Sequence, residues 1–135
     1  MKTGAQLAAE AKAKIQELSV EQLAALVKTT DPRVIDVREP AEFAAGHIPN
    51  AVSMPRGVLE MQLHSHPAVA TEKDAVQALT ELAKQPLYLI CRSGARSALA
   101  AESLHRMGFH EVYSIAGGMS AWQDAGLPVR QSGQS

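Results

Sequence analysis

The single cysteine of the chain, Cys91, stands where a short apolar segment meets a helical pattern. Residues 87–90 form an apolar run after Pro86, which is typical of a buried strand. Residues 95–107 carry apolar side chains at helical spacing and are followed by Gly108, which predicts a helix that ends there. Cys91 is therefore predicted to lie on a turn from a strand to a helix.

The residues that follow Cys91 suit a negatively charged sulfur. The first amides of a helix have no partners inside the helix and attract anions. Helix N-termini and nearby cations lower the pKa of a cysteine from its usual value of about 8.5. A lone cysteine at a strand end is otherwise a small apolar residue, but the two cations, glycine and two hydroxyls of this turn favour a reactive thiolate. The six residues that follow Cys91 are Arg92, Ser93, Gly94, Ala95, Arg96 and Ser97.

Three segments of the chain together resemble the single-domain rhodanese-like sulfurtransferases. They are CRSGARS at 91–97, DVREPAEFAAGHIPNAVSMP at 36–55 and AGGMSAW at 116–122. The resemblance covers roughly residues 15–129 and implies an α/β fold of the rhodanese type, with a mainly parallel central sheet and helices on both faces. It also implies that Cys91 is the catalytic nucleophile and that residues 92–97 bind the substrate.

The length of the loop bears on the reaction. Relatives that resemble phosphatases or arsenate reductases have five residues between the cysteine and the arginine, whereas four separate Cys91 from Arg96. The shorter loop resembles the sulfurtransferase form, which favours a persulfide over a phosphoenzyme. A phosphatase, with Asp36 as its proton donor, or an arsenate reductase is one alternative, and a non-catalytic sulfur carrier or docking module is another.

The predicted reaction is thiosulfate sulfurtransferase (rhodanese) activity in two displacements. Cys91 attacks the outer sulfur of thiosulfate while Arg92 and Arg96 hold the sulfonate, and sulfite leaves. Cyanide or a thiol, on a small molecule or on a partner protein, then takes the sulfur from the Cys91 persulfide. Because the chain has one cysteine, the acceptor must come from outside it.

Other polar residues are predicted to support the site rather than to react. Asp36, Arg38 and Glu42 are interpreted as a polar network that fixes the turn after a strand. His64 and His66 have no nearby cysteine, so no metal is expected, and no cofactor is needed. Residues 54–61 are expected to border the pocket. Arg56 lies in this segment, and we expect its side chain to be solvated rather than bound to an anion.

Strands and helices alternate along the chain, which predicts a parallel sheet with its ligand at the carboxyl ends of the strands. A Ser19–Gln22 capping box begins the first helix of the domain. The predicted strands are residues 33–37, 51–53, 87–90 and 112–115. The predicted helices are residues 19–28, 41–45, 71–84, 95–107 and 120–125.

The composition indicates one globular domain. The chain has 135 residues, of which 46% are hydrophobic and 20% charged, and its net charge of −1 argues against a nucleic-acid binder. The charged first residues predict neither a signal peptide nor a membrane span, and the single cysteine suits a reducing compartment, so we expect a cytoplasmic protein. Residues 1–14 are predicted to form a helix packed on the domain, residues 15–129 the domain, and residues 130–135 a frayed tail.

Overall fold

A five-stranded sheet, parallel throughout, forms the centre of the computed structural model, which describes residues 1–132. In chain order the strands are β1 (Gln16–Leu18), β2 (Arg33–Asp36), β3 (Val52–Ser53), β4 (Leu87–Ile90) and β5 (Val112–Ile115). Their spatial order is β1-β5-β4-β2-β3. The predicted α/β class with a mainly parallel sheet is confirmed.

Within residues 1–132, seven α-helices accompany the strands. They are α1 (Gly4–Lys14), α2 (Val20–Thr29), α3 (Pro40–Ala45), α4 (Leu59–Gln62), α5 (Ala75–Leu82), α6 (Ala95–Met107) and α7 (Gly118–Asp124), with 3-10 turns at Leu63–Ser65 and Pro67–Val69. Among residues 1–132, no helix has the length and apolar character that a membrane crossing requires.

Two apolar cores lie on the two faces of the sheet. Because side chains alternate along a strand, Leu87 and Leu89 of β4 join one core while Tyr88 and Ile90 join the other. The first core contains side chains of α4, α5 and α6, and the second contains side chains of α2 and α7. The sheet is therefore covered on both faces, as the alternation of elements predicts. Trp122 is 1% exposed, and its indole N–H donates to the carbonyl of Pro128 at 2.8 Å.

One predicted helix differs from the structure, and two elements of the structure were not predicted. The helix predicted over residues 71–84 begins only at Ala75, because the Asp74 side chain accepts hydrogen bonds from the amides of Val76 and Gln77 and caps it there. Strand β1 and helix α4 are absent from the predicted elements. Both are short, at 3 and 4 residues, so neither shows a full period of hydrophobic pattern.

The first and last segments of residues 1–132 lie on the domain. Helix α1 begins with a capping box between Thr3 and Gln6 and packs on α6. Its buried residues are Ala8 and Ala11, whereas Leu7 is 48% exposed.

The tail predicted to fray from residue 130 is held at its start. Arg130 and His47 form an antiparallel bridge, and the amide of Ser132 donates to the carbonyl of Ala44 at 3.0 Å. These hydrogen bonds join the tail to the segment at the end of α3. The first residues of the predicted tail are therefore hydrogen-bonded to the domain, and residues 133–135 lie outside the described part of the chain.

Candidate active site

Cys91 directly follows β4 at the carboxyl edge of the sheet. The turn closes at Gly94, which has a φ of 104° and precedes the first residue of α6, Ala95. A left-handed conformation of this kind is strained for residues with a Cβ, so glycine suits the position. The strand, the loop and the helix bounds around the cysteine match the prediction from the sequence.

Hydrogen-bond donors from the beginning of α6 surround the Cys91 sulfur. The amide of Gly94 donates to Sγ at 3.1 Å and the amide of Ser97 at 3.4 Å. The Ser97 hydroxyl also lies 3.4 Å from Sγ. Cys91 is only 1% exposed, so these groups take the place of water around the sulfur. The arrangement can hold a thiolate, or a second sulfur atom bonded to it.

The pKa of Cys91 is lowered from its usual value by its hydrogen-bond donors. Burial alone raises the pKa, but the hydroxyl and amide of Ser97 and the amides of Gly94 and Ser93 outweigh that effect. The cations Arg92 and Arg96 were predicted to contribute to this lowering. In the structure the hydrogen bonds are its main cause, because they contact the sulfur directly, and Arg96 also interacts electrostatically with Cys91.

A second buried hydroxyl supports the first. Ser114 of β5 lies with its Oγ 2.8 Å from the Oγ of Ser97, and both residues are fully buried. When the Ser97 hydroxyl donates to a thiolate, the Ser114 hydroxyl is able to donate to Ser97 in turn. Ser114 was not among the site residues predicted from the sequence. A serine in the middle of an otherwise apolar buried strand was the available signal, because a buried hydroxyl requires a partner.

Arg96 points toward helix α3 and not into open solvent. Its Nη1 and Nη2 atoms donate to the two carboxylate oxygens of Glu42 at 2.8 Å and 3.0 Å. This hydrogen-bonded pairing, opposed by partial burial, lowers the pKa of Glu42 to about 2. Arg96 was predicted to bind the substrate together with Arg92. That role stays a prediction, and in the structure one N–H of each terminal nitrogen of Arg96 is occupied by Glu42.

Arg92 lines the cavity above the loop. The cavity has a volume of about 270 Å³, and Glu42, Met119 and Ser120 also line it. The Arg92 side chain is exposed and makes no hydrogen bond or ion pair with another residue in 1–132. Within the loop it is therefore the cation that remains available to an incoming anion.

Asp36 and Arg38 form a buried pair below this cavity. Asp36 is fully buried, and its two carboxylate oxygens accept from the Arg38 guanidinium at 2.8–3.2 Å. Arg38 also donates to the carbonyl of Gly46 at 2.7 Å. The pair ties the end of β2 to the end of α3, the helix that carries Glu42.

The beginning of α7 holds the active-site loop from the other side. The amides of Met119 and Ser120 donate to the carbonyls of Cys91 and Arg92 at 2.8 Å and 3.0 Å. Gly118 lies so close to this backbone that a Cβ there would collide with it. The AGGMSAW segment is one of the three that carry the family resemblance, and its contact with the loop is a feature that local pattern does not reveal.

The remaining candidate residues lie apart from the sulfur. Arg56 pairs with Glu60 at 3.1 Å, and Glu60 also accepts from the Ser103 hydroxyl at 2.6 Å. The Nδ1 atom of His66 accepts from the amide of Ala68 at 3.0 Å. Across residues 1–132, no group of three or more histidine, cysteine or acidic side chains is arranged to hold a metal ion.

The family model described as "Rhodanese-like domain" matches residues 19–125. The chain therefore belongs to the rhodanese-like family. A protein named sulfurtransferase from Allochromatium vinosum is 33% identical over 85% of this chain and 94% of its own length.

Two further relatives carry names that refer to sulfur. Thiosulfate sulfurtransferase GlpE of Vibrio cholerae is 29% identical over 85% of this chain and 94% of its own length. The putative sulfur carrier protein YrkF of Bacillus subtilis is 29% identical over 90% of this chain but 58% of its own length.

A solved structure from Rhodopseudomonas palustris superimposes with a TM-score of 0.78, and it is 30% identical over 96% of both chains. It is described as a protein of unknown function and a possible tyrosine phosphatase.

Proposed function

We propose that this protein is a sulfurtransferase that carries a sulfane sulfur as a persulfide on Cys91. The observation that carries the proposal is the set of hydrogen bonds at the buried sulfur, from the amides of Gly94 and Ser97 at 3.1 Å and 3.4 Å. Donors placed around one atom stabilise a thiolate before the reaction and a persulfide after it. The family and its sulfurtransferase relatives support this class of reaction.

Thiosulfate is the proposed sulfur donor, and a small-molecule persulfide is a second one. The Cys91 thiolate attacks the outer sulfur of thiosulfate, and a new S–S bond forms. The S–S bond of thiosulfate breaks, and its electron pair leaves with sulfite. Sulfite departs without a proton, so this step requires no general acid. The guanidinium of Arg92 would bind the sulfonate oxygens at the cavity.

The second displacement returns Cys91 to its initial state. A cyanide ion or a thiolate attacks the outer sulfur of the persulfide, and thiocyanate or a new persulfide leaves with that sulfur. The Cys91 sulfur keeps the electron pair and is again a thiolate. Because the chain has one cysteine, the acceptor is a separate molecule. A reducing compartment such as the cytoplasm would keep this thiol available, which is the localisation we propose.

A phosphatase is the second candidate, because a structurally similar protein is described as a possible tyrosine phosphatase. Phosphate ester cleavage requires a proton for the departing alkoxide. Asp36, the residue predicted for that role, is fully buried with both oxygens bonded to Arg38. The four-residue spacing between Cys91 and Arg96 also favours sulfur transfer over phosphate binding.

A sulfur carrier without turnover of its own is the third candidate, supported by the name of the relative from Bacillus subtilis. Such a carrier would use the same Cys91 persulfide, but another protein would supply the sulfur. Slow loading from thiosulfate together with rapid loading from a protein persulfide would favour this function over the enzyme.

Intact-protein mass spectrometry tests the proposal. The protein is incubated with thiosulfate, polysulfide or glutathione persulfide, and a gain of one sulfur atom is expected that cyanide removes as thiocyanate. Cys91→Ser should show no gain, while Ser103→Ala, which alters a buried hydroxyl elsewhere on α6, should load normally. An unchanged mass with all three donors would refute the proposal, and hydrolysis of an aryl phosphate without sulfur loading would favour the phosphatase.

A further inference from the structure

We propose that Lys12 of α1 binds the carboxylate of an anionic thiol acceptor, and so determines which thiols take the sulfur from Cys91. This inference rests on the proposed function and concerns its second displacement. It assigns a role to a helix that lies before residues 19–125, the part of the chain that the family model matches. Lys12 was not among the site residues predicted from the sequence.

The first step is the position of Lys12 beside the active-site loop. Helix α1 packs on α6 and buries Ala8 and Ala11, and Lys12 follows in its last turn. The Nζ atom of Lys12 lies 3.9 Å from the Cβ position of Gly94. Gly94 is the residue whose amide donates to the Cys91 sulfur. Lys12 therefore brings a positive charge to the loop from an element outside it.

The second step is that Lys12 lacks a partner, unlike the other two lysines of residues 1–14. Lys2 pairs with Glu10 at 2.6 Å, and Lys14 pairs with Glu102 at 3.5 Å. Lys12 is exposed and makes no ion pair or hydrogen bond with another of residues 1–132. Its ammonium lies beside the first turn of α6, where the helix dipole does not favour a cation. Contacts within the fold therefore do not explain this position, whereas an anion bound at the loop would.

The third step is the depth of the sulfur. Cys91 is 1% exposed, whereas Lys12 is exposed beside the loop. A thiolate that attacks the persulfide forms a bond to its outer sulfur. The S–S bond to Cys91 then breaks, and Cys91 keeps the electron pair. The acceptor brings only its sulfur to the loop, so a carboxylate joined to that sulfur by a short carbon chain stays outside, near the ammonium of Lys12.

The fourth step is the difference between lysine and arginine at this site. Arg92 lines the cavity, and Arg96 keeps N–H groups beyond those that Glu42 occupies. A planar guanidinium suits the closely spaced oxygens of a sulfonate on the donor. An ammonium on a flexible stem is a point charge that can follow a carboxylate over a range of positions. Lys12 therefore suits acceptors that differ in length better than it suits one compact donor.

The test compares three thiols as acceptors: 3-mercaptopropionate carries a carboxylate, 2-mercaptoethanol a hydroxyl and cysteamine an ammonium group. The protein is loaded with sulfur, freed of donor by gel filtration and mixed with one thiol, and mass spectrometry follows the loss of sulfur. For Lys12→Gln we expect the second-order rate constant to fall about three- to fivefold with 3-mercaptopropionate and to change less than about 1.5-fold with 2-mercaptoethanol. The difference should shrink at high ionic strength.

Three further variants separate a specific contact from a general effect of charge. Lys12→Glu replaces attraction by repulsion, so the rate constant should fall about tenfold with 3-mercaptopropionate and rise about threefold with cysteamine. Lys12→Arg keeps the charge and should keep the wild-type preference. Lys14→Gln removes the same charge from the same turn of α1, where Glu102 already pairs with it, and should leave all three thiols unchanged. Thermal melting of each variant verifies that it is folded.

The outcomes distinguish this inference from the proposed function. Equal changes for all three thiols in Lys12→Gln, no change, or the same selective loss in Lys14→Gln would overturn the role of Lys12 while sulfur loading of Cys91 stands. Removal of the sulfur by cyanide but by none of the three thiols would overturn that role as well. If the wild type gains no sulfur from any donor, the proposed function fails and this inference fails with it.

Discussion

The two edges of the sheet differ in a way that cavity size does not reveal. The larger cavity, about 550 Å³, lies at the amino edge, where Arg33, Asn50 and His66 line it. The cavity above the active-site loop at the carboxyl edge is about half as large, at about 270 Å³. Of the two, only the smaller one is lined by a residue of the active-site loop, Arg92, which directly follows Cys91.

The polar groups at the two edges are oriented differently. At the amino edge, Arg33 donates to the carbonyl of Leu82 at 3.1 Å, and His66 accepts the amide of Ala68. These hydrogen bonds hold the fold together within the edge. At the carboxyl edge, amides of the α6 N-terminus converge on one sulfur atom. Convergence of hydrogen-bond donors on a reactive atom, rather than cavity volume, therefore identifies the site.

The buried pair at the carboxyl edge should give the largest effect. Asp36→Asn leaves the Arg38 charge buried without a carboxylate, so we expect the free energy of unfolding to fall by about 3–5 kcal/mol. Urea denaturation measures this loss. Asp31→Asn at the amino edge makes the same chemical change on an exposed residue and should cost less than about 0.5 kcal/mol. Similar losses in the two variants would contradict the comparison.

Gly118→Ala should disturb the loop from the side of α7. Gly118 has a φ of 53°, and a Cβ there would come within 2.7 Å of the Arg92 carbonyl. Strain and overpacking together should lower the free energy of unfolding by about 2–4 kcal/mol and remove most of the sulfur transfer.

Gly108→Ala is the matched control for that change. Gly108 has a φ of 115° but no heavy atom within 4 Å of its Cβ position, so only strain of about 1 kcal/mol is expected, with normal turnover. Normal sulfur transfer by Gly118→Ala would show that α7 does not position the loop.

Ser97→Ala tests the hydroxyl at the sulfur. The Ser97 hydroxyl helps to lower the pKa of Cys91, so its loss should raise that pKa and shift the titration of the thiolate absorbance to higher pH. The rate of sulfur loading near neutral pH should fall about three- to tenfold, because less thiolate is present. Ser103→Ala removes a buried hydroxyl on the same helix and should leave the titration unchanged. An unshifted titration in Ser97→Ala would show that the Ser97 hydroxyl does not lower the pKa of Cys91.

His66→Asn, at the amino edge, should give the smallest effect. It should change the pH dependence of stability and leave sulfur transfer unchanged. Burial, together with the charge of Arg33, lowers the pKa of His66, so the unfolded chain takes up a proton that the folded chain does not. Stability of the wild type should therefore decline as the pH falls below about 6.5, the ordinary pKa of histidine. An asparagine oxygen can accept the Ala68 amide without titrating, so the decline should be shallower.

Urea denaturation at several pH values measures that slope, and sulfur transfer should stay at the wild-type rate. A change in turnover would link the amino edge to the chemistry and weaken the contrast between the two edges.

Local pattern was sufficient wherever an element is long or has a clear stop. Helix α6 ends at Met107, directly before Gly108, and strand β4 spans residues 87–90. Both match the prediction. Strand β1 was missed because it has 3 residues and forms by pairing with β5, nearly 100 positions further along the chain. Its existence depends on a partner that no local window contains.

The site shows the same division. Cys91 and the donors that follow it within six residues were predictable, because a strand-to-helix turn places adjacent amides around one position. Ser114 was missed, and the pairing of Arg96 with Glu42 was not predicted. Those contacts join residues separated by 17 and 54 positions.

The sequence by itself determined where the thiol stands and which backbone groups surround it, because strand, glycine turn and helix follow one another without interruption in the chain. Only the tertiary structure decided how the charges around the thiol are shared. Side chains on separate elements meet only when the sheet and its helices pack together. The sequence therefore does not show which arginine near the loop forms an ion pair with a carboxylate.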